Sequence, residues 1–144
     1  MEATWILVAD SARARLFTID RPRGPLTETA AYVNPQDRLR EQDLDADAPG
    51  RGAGNNGARF AMGHEDGAKA HYAEQFAREL SEVLDKGRQA GAYVRLYIMA
   101  APNFLGAIRR FIDDNTSGCI VESFAKDVVR ERADAIRGHL PYRL

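Results

Sequence analysis

The sequence predicts a single α/β domain, a mixed sheet of about five strands with three helices. Short apolar runs bounded by turn residues mark strands, and apolar stripes at i, i+3, i+4 and i+7 mark helices. Their order is β-β-β-loop-α-β-α-β-α, which implies a mixed sheet with the two late strands joined by a right-handed helical crossover. The chain has 144 residues, the length of one domain. Such a chain buries roughly 65–70% of its unfolded surface and needs no disulfide or metal to fold. Hydrophobic residues at 44% and charged residues at 28% exclude a disordered chain.

Trp5-Ile6-Leu7-Val8-Ala9 is a continuous apolar run with β-branched members, a strand buried on both faces. Asp10-Ser11-Ala12 supplies turn chemistry. Arg15 to Ile19 then alternates, with Leu16 and Thr18 on one face and Phe17 and Ile19 on the other, so a hairpin opens the fold. Pro22, Gly24 and Pro25 break the pattern before a weaker third strand, Leu26 to Val33, which ends at Asn34-Pro35. Ala73, Phe76, Ala77, Leu80, Val83 and Leu84 form one stripe of a helix from about Lys69 to Lys86, with Asp66 as its cap and Gly87 as its stop. Tyr93 to Ala100 is a central strand. Pro102 then opens a helix whose inward stripe is Phe104, Leu105, Ile108, Phe111 and Ile112. Cys119 to Phe124 is the last strand, and Val129, Ala133, Ile136 and Leu140 space out a C-terminal helix.

Between the third strand and the first helix, from about residue 36 to 67, the pattern lapses into a long loop. It is acidic at Asp43, Asp45 and Asp47, then rich in glycine and arginine from Pro49 to Phe60. A loop of this length in a compact domain is either functional or disordered. Its glycines allow close backbone approach to a ligand, and successive N–H groups beside Arg51 and Arg59 could cradle an anion. No Lys-Ser/Thr follows, so it is not a nucleotide P-loop.

Twenty cationic residues face 21 acidic ones for a net charge of -1, so nucleic-acid binding requires a local patch. Arg13 and Arg15 at the hairpin, with Arg109 and Arg110 on the second helix, form that patch if the two elements are neighbours; otherwise they make structural ion pairs. Asp10 caps a turn or, with Glu122, Asp113 and Asp127, contributes to a two-metal carboxylate centre. His64, His71 and His139 are too dispersed for a zinc signature, and no metal or other cofactor is expected. The single cysteine, Cys119, fits a reducing compartment. No leader or apolar span is present, so the expected location is the cytoplasm, without membrane association.

Three blocks carry a resemblance over nearly the whole chain. They are Trp5-Ile6-Leu7-Val8-Ala9-Asp10-x-x-Arg13-Ala14-Arg15-x-Phe17, then Gly50-Arg51 ahead of the Phe76-Ala77 helix, and Ala101-Pro102-x-x-Leu105-Gly106-x-x-Arg109 with Lys126-Asp127 beyond. Together they resemble the bacterial host attachment proteins, which implies a role in attachment to host cells. More remotely, the layout is similar to the middle domain of archaeal and eukaryotic peptide-chain release factors, where an exposed Gly-Arg-Gly-Gly-Gln loop precedes a long helix. Gly50-Arg51-Gly52 matches that loop, but Ala53-Gly54-Asn55-Asn56 replaces its Gly-Gly-Gln. The resemblance implies binding to tRNA or the ribosome through Arg51, Gly52, Gly54, Asn55, Asn56 and Arg59, aided by Arg13, Arg15, Arg109 and Arg110. It leaves peptidyl-tRNA hydrolysis open, since a backbone N–H at Asn55 or Asn56 could stabilise developing charge. The opposing expectation is a protein-interaction module, or a homo-oligomer, that acts in attachment without nucleic acid.

Overall fold

The computed structural model describes residues 3–36 and 55–144, with the side chains of residues 55–66 outside that description. Five strands, β1 (Thr4–Ala9), β2 (Arg13–Ile19), β3 (Thr27–Val33), β4 (Arg95–Ala100) and β5 (Ile120–Phe124), form one mixed sheet in the order β3-β2-β1-β4-β5. β1 pairs antiparallel with β2 and parallel with β4, while β5 lies parallel to β4 at the edge. The predicted α/β class and five-stranded mixed sheet are both observed. Four helices lie wholly among the described residues: α1 (Asn55–Gln89), α2 (Pro102–Phe111), α3 (Asp114–Cys119) and α4 (Ala133–Gly138).

Side-chain alternation splits the core in two. Leu7, Ala9, Leu16, Leu96 and Ile98 face α1 and α2, meeting Phe76, Leu80, Leu84, Phe104 and Ile108. Ile6, Val8, Phe17, Ile19 and Met99 face the other way, under the C-terminal segment with Val128, Val129, Ile136 and Leu140. This two-sided burial is why β1 is apolar at successive positions. Ser81 is buried and its Oγ donates to Ala77 O at 2.7 Å and Ile108 O at 3.3 Å, tying α1 to α2.

Three of the helices differ from the sequence expectation. α1 begins at Asn55, not near Lys69, so residues 55–67 of the expected loop are helical and Asp66 lies inside the helix. Its exit is also later, because the chain turns at Gly91, whose φ of +72° suits a residue without Cβ. Gly87 instead lies where a Cβ would stand 2.4 Å from the Trp5 ring. α3 was not expected; Asp113 caps it by accepting from Thr116 N at 2.7 Å. That bond, supported by Arg88, holds the Asp113 carboxyl below its usual range. The C-terminal helix is only six residues long, because Val128 and Val129 are buried from a turn ahead of it, closed by Glu131 N donating to Val128 O at 3.0 Å, rather than from the helix.

α1 has 35 residues, about 52 Å of helix, against about 20 Å for a six-residue strand. Its C-terminal end packs by Trp5 and Tyr93, while Lys69 and Ala73 reach the carboxyl ends of β1 and β4. Residues 55–68 therefore carry the helix roughly 20 Å beyond that edge of the sheet.

Candidate functional site at the carboxyl edge of the sheet

At the carboxyl ends of the parallel pair β1 and β4 the chain diverges, from β1 toward β2 and from β4 toward α2. Crevices at such switch points are favoured ligand sites. Here a cleft of about 590 Å³ lies between the β1–β2 turn, α1 and the start of α2, with Asp10, Ser11, Lys69, Glu74, Asn103, Arg110 and Asp127 among its lining. Ala101 is the N-cap of α2 and offers no side-chain oxygen to its first N–H groups, and Pro102 follows it.

Asp10 is committed to the turn. Its Oδ1 accepts from Ala12 N at 2.8 Å and Arg13 N at 2.9 Å, and its own N–H donates to Arg13 O at 2.9 Å. Asp113 is engaged at the cap of α3 and with Arg88 at 3.2 Å, so it does not join Asp10. Among the described residues no three His, Cys, Asp or Glu side chains are placed to hold a metal ion.

Asn34 is the residue that sequence reasoning missed. It is buried, donates from Nδ2 to Ser11 O at 2.9 Å and Tyr72 O at 3.2 Å, and thereby fastens the hairpin turn to α1. The only sequence signal was its place before Pro35, which marked a strand end and not a tether. Within the cleft Arg110 pairs with Glu74 at 3.1 Å, an exposed pair that sets side-chain direction more than stability.

The sheet separates the two arginine pairs. Arg15 lies with Phe17 on the face covered by the C-terminal segment, where it pairs with Glu28 at 2.9 Å and donates to the carbonyls of Val129 and Glu131. Arg13 stands on the same face, its Nε buried without a hydrogen-bond partner among the described residues. Arg109 and Arg110 belong to α2 on the opposite side, Arg109 donating to Ser123 Oγ at 2.9 Å. The expected four-arginine patch is thus not one surface. Arg51, Gly52 and Gly54 lie outside the described residues; Asn55, Asn56 and Arg59 are placed by their backbone in the first two turns of α1.

No helix among the described residues is long and apolar enough to cross a membrane. No curated protein matches the chain. A family model described as "Protein required for attachment to host cells" matches residues 5–140. That span takes in β2 to β5, all of β1 but its first residue, both halves of the core and the cleft, so the chain belongs to the host attachment protein family.

Proposed function

We propose that this host attachment protein acts by binding RNA, tRNA or ribosomal RNA, in the cytoplasm, and that its part in attachment follows from that binding. The observation that carries the reading is the reach of α1: Asn55, Asn56 and Arg59 stand at the outer end of a helix that runs past the sheet. A bulky, phosphate-covered partner can meet residues held there without touching the packed domain. Two further features support it. The first turn of α1 has no acidic residue, so the positive end of the helix dipole is unopposed, and Arg51 and Arg59 flank that turn. The similarity of the layout to the release-factor middle domain is the reason to choose ribosomal partners. Peptidyl-tRNA is left intact or cleaved slowly, because Ala53-Gly54-Asn55-Asn56 lacks the Gly-Gly-Gln backbone freedom.

The test is co-sedimentation with ribosomes and with total tRNA at low and moderate salt. Binding that falls steeply as salt displaces arginine–phosphate contacts, and that disappears in Arg51→Ala/Arg59→Ala, is the expected result. Absence of binding at low salt overturns the reading in favour of a protein-interaction module or a homo-oligomer.

A further inference from the structure

A second cleft, of about 700 Å³, opens at the opposite, amino end of β1 and β4. This volume suits a small molecule. Its floor follows from strand register: Ile19, Thr4 and Arg95 are cross-strand partners on β2, β1 and β4. The turn after β2, the start of β5 and the C-terminal segment enclose that row, bringing Arg21, Val121 and Arg143 to the same cleft.

Two properties of the lining point to one kind of ligand. Three arginines, Arg21, Arg95 and Arg143, line the cleft and no Asp or Glu side chain does, although the whole chain is nearly neutral. Glu122 stands at the margin beside Tyr97. Leu144 O, also on the lining, accepts from Arg23 N at 2.7 Å and Arg137 Nη2 at 3.2 Å. Neither Arg21 nor Arg143 makes an ion pair among the described residues. The second property is apolar: Val94 and Val121, 45% and 53% exposed, are two of the four large hydrophobic side chains left in solvent among the described residues, and both line this cleft.

We propose that the cleft binds a small amphipathic anion, with a phosphate or carboxylate taken by Arg21 and Arg143 and an aliphatic body lying over Val94 and Val121. Guanidinium groups suit such oxyanions because their planar forks donate in pairs. An added peptide strand fits less well. β5 is an edge, but the register shift opposite Leu96 and Tyr97 leaves Val121 without a strand partner, and a bulge of this kind spoils a pairing edge. Nucleic acid fits less well too, since the exposed apolar lining is valine and Tyr97, the one ring on the cleft, is buried. The site lies at the other end of the sheet from the proposed RNA-binding arm and does not depend on it.

Titration calorimetry of the intact protein tests the inference, with decyl phosphate below its micellar range, inorganic phosphate, and vesicles containing phosphatidic acid. Decyl phosphate should bind at least about tenfold more tightly than inorganic phosphate, and Arg21→Gln/Arg143→Gln should weaken it by about tenfold or more. Val121→Asp, which sets a negative charge in the apolar lining, should weaken it as well, and all variants should keep the wild-type unfolding midpoint. Tight binding to the vesicles with loss in the same variants identifies a lipid headgroup as the source of the anion. The proposal falls if neither decyl phosphate nor the vesicles bind at about 1 mM ligand, or if these substitutions leave binding unchanged.

Discussion

Trp5 lies between Gly87 and Tyr93, its ring centroid 4.6 Å from that of Tyr93. Helix propensity alone favours alanine over glycine at an interior helical position by about 1 kcal/mol. At Gly87 the opposite outcome is expected, because a methyl would stand 2.4 Å from the indole and Tyr93 blocks the ring's retreat. Gly87→Ala should destabilise the fold by about 1–3 kcal/mol, read from urea unfolding; a stabilised variant would show that the ring moves freely. Tyr93 carries a pH signature of its own. Burial, then the neighbouring Cys119 charge, pushes its hydroxyl from 10.0 up to about 12, and that hydroxyl donates to Leu84 O at 2.6 Å. The folded state holds this proton more tightly than the unfolded chain does. The contribution is therefore intact below pH 10 and is lost as pH rises toward 12, on the order of 2 kcal/mol in all. Tyr93→Phe should flatten the difference between unfolding curves at pH 9 and pH 11.5, and parallel losses in both proteins would sink the assignment.

At the scale of elements, Arg15 decides how the C-terminal segment is held. Its guanidinium joins Glu28 of β3 to the carbonyls of Val129 and Glu131 while packing over Phe17. Arg15→Ala should cost about 2 kcal/mol through charge-assisted hydrogen bonds left unmade and should speed amide exchange across residues 128–140. Unchanged exchange there would mean that Val128, Val129 and Ile136 hold the segment without it. The strands were legible because each is short, apolar and closed by turn residues, and because two-sided burial makes β1 and β4 continuous runs. Helix ends were less so. The stripe from Ala73 to Leu84 is visible because it meets the core, whereas residues 55–68 lie beyond the sheet and carry no periodic apolar demand to reveal a helix. α3 depends on one capping contact, Asp113 to Thr116, which in sequence is only an Asp-x-x-Thr spacing inside a connection.

For the whole molecule, the sheet sets what sequence could and could not say about sites. Arginines at 13, 15, 109 and 110 are readable as a group in sequence, but faces alternate along β2, and the sheet puts Arg15 and Arg109 on opposite sides of a closed core. The two clefts were not legible either. Each is built at one end of the β1–β4 pair from segments up to more than 100 residues apart, such as Asp10 with Asp127 and Thr4 with Arg143. The pairing that creates them has a further consequence. Thr4 meets Arg95 across the whole length of chain that holds β2, β3 and α1, a long-range pairing whose topology favours slower closure than that of the local β1–β2–β3 meander. The entropy of such a closure grows only with the logarithm of its length, by about 0.6 kcal/mol for each doubling. Residues between β3 and the packed half of α1 can therefore be lengthened, shortened or exchanged at small cost to the fold, so the outer end of α1 is open to change while the sheet stays constant.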